Sequence, residues 1–194
     1  MGTKAFRAVA VIVFAGCGHR SVVEQPAPQL PVEDHAAVAA PGAEADSLAR
    51  VRAEREQVAR EKAEQAVIAL RAELVRMVHF DFDRADIRPE DATVLSRKAA
   101  ILTANPSVRI RIAGNCDERG SDEYNLALGN RRAAAGKRFL SDHGVAADRM
   151  EVVSYGKERP LDPGHDETAW AANRRDEFEI TGGGETLAAP VALR

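Results

Sequence analysis

The residues Gly114-Asn115-Cys116-Asp117-Glu118-Arg119-Gly120-Ser121 separate a strand pattern from a helix pattern. Before them, residues 108–112 alternate apolar and charged side chains with the period of a half-buried strand. After them, Ser121 is a suitable N-cap for a helix that continues to His143, and Gly144 can adopt the left-handed conformation that ends helices. The pattern predicts a strand, a glycine-bounded loop (residues 114–120, the site loop) and a long helix.

This strand–loop–helix unit carries two opposite charges that can act together. Asp117 lies in the site loop, and Arg132 lies on the helix one turn beyond Leu128, because residues i and i+4 share a helix face. A fixed carboxylate can form an ion pair with an ammonium group, and an arginine can bind a carboxylate through two hydrogen bonds. The pair could hold the zwitterionic end of an amino acid, although surface charges often pair only with each other or with solvent.

Six further blocks lie within the helix of this unit or on either side of the unit in the sequence. They are Val78-His79-Phe80-Asp81-Phe82-Asp83, Glu123-Tyr124-Asn125, Leu128-Gly129-Asn130-Arg131-Arg132-Ala133, Ser154-Tyr155-Gly156-Lys157-Glu158-Arg159-Pro160, Gly164-His165-Asp166-Glu167 and Asn173-Arg174-Arg175. Together with the site loop, the blocks resemble the OmpA-like peptidoglycan-binding domain, and most closely its peptidoglycan-associated lipoprotein branch. The resemblance covers residues 78–181. It implies an α+β fold, an OmpA-like βαβαβαβ sandwich with one mixed sheet and helices mainly on one face.

The resemblance also implies a ligand, the diaminopimelate of a peptidoglycan stem peptide, bound without covalent chemistry. Asp117 would bind the side-chain ammonium group, and Arg132 would bind the carboxylate. Four further residues are expected to line the pocket: Arg119, Leu128, Phe82 and Asp83. The family role would be a tether between the outer membrane and the cell wall, with a TolB-like periplasmic partner in a Tol-Pal-like system that serves envelope integrity and cell division.

The N-terminal residues have the features of a lipoprotein signal. Lys4 and Arg7 precede a short apolar run over residues 8–15, which is too short to span a bilayer. Phe14-Ala15-Gly16-Cys17 resembles a bacterial lipobox, so residues 1–16 are predicted to be a signal peptide and Cys17 to carry the lipid anchor. Gly18 stands where an inner-membrane retention signal would place Asp, so the family resemblance implies the outer membrane, with the protein facing the periplasm. The alternative is an ordinary secretory signal in which Cys17 has no special role.

The segments on either side of the domain differ in composition. Residues 17–43 are rich in Pro and Ala and are predicted to be a disordered linker. Residues 44–77 contain no Gly or Pro and are predicted to form a charged helical stalk, single and solvated in preference to a coiled-coil dimer. Residues 182–194 begin with three glycines and are predicted to be a flexible tail.

Within the domain, two strands carry specific expectations. Alternation in the first strand predicts that Val78, Phe80 and Phe82 are buried. The last strand is expected over residues 178–181. Its start is expected to be frayed, because Asp176 stands where the resembling family usually has an apolar residue.

Composition and motifs bear on other classes of function. The formal net charge of -3, without a basic block, argues against nucleic acid as a partner. The sequence has no nucleophile elbow and no HExxH motif, and no catalytic residue, metal or cofactor is predicted. Two alternatives stay open: a peptidoglycan hydrolase using acidic residues, and a helical oligomeric scaffold in the envelope. The acidic candidates for the hydrolase are Asp81, Asp83, Asp117 and Glu118. If Cys17 carries lipid, Cys116 has no cysteine partner within the chain, and it is interpreted as structural or incidental.

Overall fold

The computed structural model describes residues 41–190. Within this range the helices are α1 (Pro41–Val75), α2 (Pro89–Ala104), α3 (Asp122–Asp142) and α4 (Glu167–Asn173), and the strands are β1 (Val78–His79), β2 (Arg109–Asn115), β3 (Met150–Gly156) and β4 (Arg175–Gly182). No helix in residues 41–190 contains an apolar stretch long enough to cross a membrane. The predicted signal peptide, Cys17 and residues 17–40 of the predicted linker lie outside the described residues.

The four strands form one mixed sheet in the order β1-β4-β2-β3. β2 and β3 are parallel, whereas β4 is antiparallel to both β2 and β1. Ile110 and Ile112 point from β2 into the core. Arg111, which lies between them, forms ion pairs with Glu151 and Glu179 on the opposite face of the sheet. The predicted mixed sheet with helices mainly on one face is confirmed.

The core between the sheet and the helices is built mainly of aliphatic side chains. Its deeply buried members include Val78, Phe80, Leu95, Ile101, Leu102, Val108, Ile112 and Leu140. Leu74, from the last turn of α1, is buried with them. The end of α1 is therefore part of the domain core.

Helix α1 confirms the predicted long helix before the domain, and it begins at Pro41, earlier than expected. The apolar residues Leu48, Val51 and Val58 are exposed along it, as expected for a solvated helix. Pairing of α1 with a second copy stays an untested alternative.

A buried lysine joins α1 to the domain. Lys98 of α2 is fully buried, and its Nζ donates to the carbonyl oxygens of Glu73 (2.8 Å) and Leu74 (2.6 Å). The same Nζ lies 4.2 Å from the ring centroid of Phe178 on β4. The last carbonyls of a helix lack partners within the helix, and a cationic donor there is favourable. Lys98 therefore caps α1 and holds it against α2 and β4.

Two strand predictions were wrong. β1 ends at His79, and the chain then turns, with Asp83 in the left-handed conformation at φ 57°. Phe80 is buried as expected, but Phe82 is 57% exposed, because the turn ends the alternation of inward and outward side chains. β4 begins at Arg175, and its start is not frayed: Asp176 pairs with Val78 on β1 and is fully buried.

Residues 183–190 lie against the domain, so the prediction of a flexible tail is wrong over residues 182–190. Leu187 is buried in the core. The Asn105 side chain donates to the Ala188 carbonyl (2.9 Å) and accepts from its amide (2.7 Å). Arg71 of α1 donates to the carbonyl oxygen of Gly184. These contacts fix the segment because its backbone groups find partners in the domain; residues 191–194 lie outside the described range.

The buried lysine predicts an unusual dependence of stability on pH. Burial lowers the pKa of Lys98 to about 7, although Glu73 opposes the shift. An unfolded lysine has a pKa of about 10.4, so between pH 7 and 10 the unfolded state binds more protons than the folded state. The free energy of unfolding, measured by urea denaturation, should therefore rise with pH across this window.

In Lys98→Met the rise assigned to Lys98 should be absent, and the variant should be less stable at pH 9 because two carbonyls lose their donor. Lys62→Met, at an exposed position of α1, is the matched control and should keep the wild-type pH profile. Identical pH profiles for wild type and Lys98→Met would contradict the assignment.

Candidate functional site

The site loop is held between β2 and α3 by a cap and a close backbone approach. Ser121 Oγ accepts a hydrogen bond from the Tyr124 amide (3.2 Å), which confirms the predicted N-cap of α3. A Cβ atom on Gly114 would lie 1.9 Å from the carbonyl oxygen of Gly129, so only glycine allows α3 to pack this closely on the end of β2. The close packing places Arg132 of α3 directly beneath the site loop.

All six residues predicted for the site line one pocket, with a cavity volume of ≈ 170 Å³. The six are Phe82, Asp83, Asp117, Arg119, Leu128 and Arg132. The pocket also includes Cys116, Gly120 and Tyr124. The structure thus brings together residues from the turn after β1, the site loop and α3. Their roles toward a ligand stay a prediction.

Asp117 is the buried anion of the pocket, with 4% exposure. Its Oδ1 accepts from the Arg119 amide (3.1 Å) and Nε (3.2 Å). Its Oδ2 accepts from Arg119 Nη2 (2.7 Å) and Arg174 Nη1 (3.2 Å). Burial alone would raise the pKa of Asp117, but the hydrogen bonds from Arg119 and Arg174 outweigh it and hold the pKa below its usual value. Asp117 is therefore a charged carboxylate at neutral pH.

Arg132 is the buried cation, and its partners are mainly backbone carbonyls. Nε donates to Arg84 O (2.8 Å), and Nη2 donates to Asp81 O (3.2 Å). Nη1 donates to Asn115 O (2.8 Å) and to Cys116 Sγ (3.4 Å). A guanidinium has five N–H donors, so these four bonds leave one donor on Nη2. Asp117 and Arg132 are not bonded to each other, and both line the cavity.

Arg119 forms the pocket wall as part of an aromatic stack. Its guanidinium carbon lies 4.0 Å from the ring centroid of Phe82 and 4.1 Å from that of Trp170. Cation–π contacts of this kind hold the planar group in place. The exposed position of Phe82, which contradicts its predicted burial, is explained by this contact.

The rim of the pocket is closed by Asp83 and Tyr124. Asp83 accepts a hydrogen bond from the Tyr124 hydroxyl. The backbone of Asp83 is in the left-handed conformation. A non-glycine residue in this conformation is strained and often marks a functional site. The bond links the turn after β1 to the first turn of α3.

Sequence reasoning missed Arg174 and Tyr124 as residues of the site. Arg174 is buried and bonds Asp117, the Phe80 carbonyl (3.1 Å) and Glu167 (2.6 Å). Both residues stand within blocks that carry the family resemblance, and this position was the only indication in the sequence that they belong to the site. Their contacts join positions far apart in the chain, so local spacing does not reveal them.

Of the acidic residues considered for hydrolysis, Asp83 and Asp117 line the pocket, where Asp83 accepts from the Tyr124 hydroxyl and Asp117 accepts from Arg119 and Arg174. Glu118 lines a neighbouring cleft of ≈ 270 Å³, where hydrogen bonds from Trp170 (2.8 Å) and His165 (2.7 Å) lower its pKa. Asp117 is held charged by its arginines, which does not suit a general acid. Among residues 41–190, no three His, Cys, Asp or Glu side chains are grouped to hold a metal ion.

The sequence model of the OmpA family matches residues 79–174. The chain is 49% identical over 98 residues to the peptidoglycan-associated lipoprotein of Pasteurella multocida, covering 50% of this chain and 65% of that protein. It is 47% identical over 110 residues to the peptidoglycan-associated lipoprotein of Pseudomonas putida, covering 57% and 64%. The chain thus spans a little under two thirds of the length of these curated relatives. Their names describe no enzymatic activity.

Two solved structures show the same fold. The crystal structure of the peptidoglycan-associated lipoprotein from Burkholderia pseudomallei has a TM-score of 0.54 and 47% sequence identity, and the match covers 55% of this chain and 90% of that chain. The C-terminal domain of Helicobacter pylori MotB has a TM-score of 0.51 at 21% identity, covering 55% and 84%. The second likeness concerns the fold alone.

The bonds of Arg174 predict that it stabilises the site. Arg174→Met should lower the free energy of unfolding by about 2–4 kcal/mol, because the buried Asp117 carboxylate and the Phe80 carbonyl each lose a charged donor. Urea denaturation at pH 7 measures the loss. Arg138→Met, at an exposed position of α3, is the matched control and should change stability by less than about 0.5 kcal/mol. Equal effects of the two substitutions would contradict the prediction.

Proposed function

Because the chain belongs to the OmpA family, we propose that its domain binds peptidoglycan non-covalently and tethers the outer membrane to the cell wall. The observation that carries the proposal is the pocket itself. Buried Asp117 and buried Arg132 line one cavity, and neither neutralises the other by a direct bond. A ligand that carries an ammonium group and a carboxylate side by side fits this arrangement, and the diaminopimelate of a stem peptide is such a ligand.

The ammonium group of the ligand would bind Asp117. A carboxylate offers about four acceptor positions, and all four are used by Arg119 and Arg174. The ammonium must therefore replace part of the Arg119 contacts. Arg119 is the partner suited to move, because its side chain is 31% exposed, whereas that of Arg174 is 7% exposed.

The carboxylate of the ligand would bind Arg132, whose remaining Nη2 donor is unused. The carbonyl partners of Arg132 hold the guanidinium in one orientation but do not neutralise its charge. Binding therefore needs little rearrangement at this end of the pocket. Leu128 and the Phe82 ring would contact the apolar part of the ligand.

Membrane attachment would come from lipidated Cys17, which places the domain in the periplasm with the stalk helix as a spacer. A single weak contact is sufficient for such a tether, since many copies act along the same wall. A TolB-like partner and a role in a Tol-Pal-like system during cell division belong to the same proposal, supported by the similarity to peptidoglycan-associated lipoproteins.

A pull-down of the domain on purified peptidoglycan sacculi tests the site. Asp117→Asn keeps the shape of the side chain but removes its charge, and Arg132→Lys keeps a charge but removes the planar guanidinium with its free Nη2 donor. Each should reduce binding at least about tenfold, because charge-assisted hydrogen bonds contribute about 1.5–3 kcal/mol each. Arg132→Lys is preferred to alanine, which would leave three backbone carbonyls unsatisfied beneath the pocket.

The matched controls are Asp142→Asn and Arg138→Lys, at exposed positions of α3, and both should bind as the wild type does. Circular dichroism and thermal melts establish that each variant is folded at the assay temperature. Wild-type binding by folded Asp117→Asn and Arg132→Lys would refute the assignment of the site, and failure of the wild type to bind sacculi would refute the proposed function.

A further inference from the structure

A buried carboxylate without a hydrogen-bond partner lies beside the pocket. Asp176 on β4 is fully buried, between Val78 on β1 and Gly114 on β2. Neither of its carboxylate oxygens has a hydrogen-bond partner among the described residues. A buried carboxylate in this state is costly to the folded protein and calls for a compensating role.

A helix glycine makes room for this carboxylate. Gly136 lies in the interior of α3, one turn after Arg132, and a Cβ atom at this position would lie 3.2 Å from Asp176 Oδ2. Glycine weakens a helix interior relative to alanine, so the space for Asp176 has its own cost. An unpartnered buried carboxylate and a glycine inside a helix are each unfavourable for stability. Finding both at one contact behind the pocket is typical of a functional site.

The charged groups that face Asp176 are few. Arg132 of α3 is its electrostatic partner, and the Cys116 thiol of the site loop also interacts with its charge. The neighbours on β1 and β2 are Val78 and Gly114, which carry no charge. Burial raises the pKa of Asp176 well above its usual value, and Arg132 opposes this shift. The ionisation of Asp176 is therefore coupled to whatever else interacts with Arg132.

We propose that Asp176 is an internal counter-ion of Arg132 that competes with the carboxylate of the ligand, so that protonation of Asp176 strengthens ligand binding. Asp176 is thus a positioning residue that acts through Arg132. The inference rests on the proposed function, because it concerns the carboxylate end of the same pocket.

The direction of the effect follows from linkage. When Asp176 is ionised, it offsets the positive charge that the ligand carboxylate must bind. When Asp176 is protonated, Arg132 presents its full charge, and the low polarity around the pair makes the difference large. By reciprocity, a bound carboxylate favours protonation of Asp176, so binding takes up a proton.

Calorimetric titration with a soluble muropeptide, N-acetylmuramyl-tripeptide containing meso-diaminopimelate, tests the proposal between pH 5.5 and 8.5. Wild-type affinity should fall as pH rises, by about tenfold for each unit by which the ligand raises the Asp176 pKa. Repeating the titration in two buffers of different ionisation enthalpy should show proton uptake. Asp176→Asn has nearly the same shape and cannot ionise, so it should lose this part of the pH dependence and of the proton uptake.

The outcomes separate the two proposals. Muropeptide binding by wild type and Asp176→Asn with the same pH profile would overturn the inference and leave the proposed function intact. Absence of wild-type binding at every pH would overturn both. Pocket groups such as Cys116 are unchanged in Asp176→Asn, so their titration would appear in both profiles and would not count as support.

Two further measurements cover a variant that folds poorly. In the wild type, the carbon-13 chemical shift of the Asp176 carboxyl group reports its titration midpoint, which should move to higher pH when muropeptide is added; an unmoved midpoint would overturn the inference.

Gly136→Ala should lower the melting temperature in the wild type, where the methyl group meets Asp176. It should raise the melting temperature in Asp176→Ala; lowering it in both backgrounds would overturn the role assigned to Gly136.

Discussion

The burial of one guanidinium group determines how the pocket is built. Arg132 carries its charge beneath the site loop, and a buried charge is costly unless it is hydrogen-bonded. Its partners are carbonyl oxygens of Asp81, Arg84 and Asn115, which come from the turn after β1 and the end of β2. To satisfy one side chain of α3, both segments must converge on it. The cavity is the space that this convergence leaves above the cation.

The same requirement explains the small residues around Arg132. Gly114 and Gly129 let α3 approach β2 closely enough for the guanidinium to reach the carbonyls. Gly136, one turn further along, leaves space for the Asp176 carboxylate. Removing side chains from a helix interior weakens the helix, and the fold accepts this cost at the positions that surround its buried charges.

Much of the fold was predictable because it follows from local rules. The Ser121 cap, the Gly144 termination and the strand alternation over residues 108–112 each depend on a few neighbouring residues, and the structure confirms them. The pocket residues were found because they stand within the blocks that carry the family resemblance. Spacing alone left the charge pair open to a surface interpretation.

The features that escaped prediction depend on contacts between distant segments. Arg174 bonds Asp117 across 57 positions of sequence, and Asn105 holds Ala188 across 83. Hydropathy places an aspartate at the surface, so the burial of Asp176 required knowledge of Gly136 on another element. The contact between the end of α1 and the domain, made by Leu74 and Lys98, has a mechanical consequence. Pulling on α1 would load Leu74 and Lys98 first and would spread into α2 and β4, the elements that α1 touches most. A load on α1 thus enters the domain at Leu74 and Lys98, which are not among the residues that line the pocket.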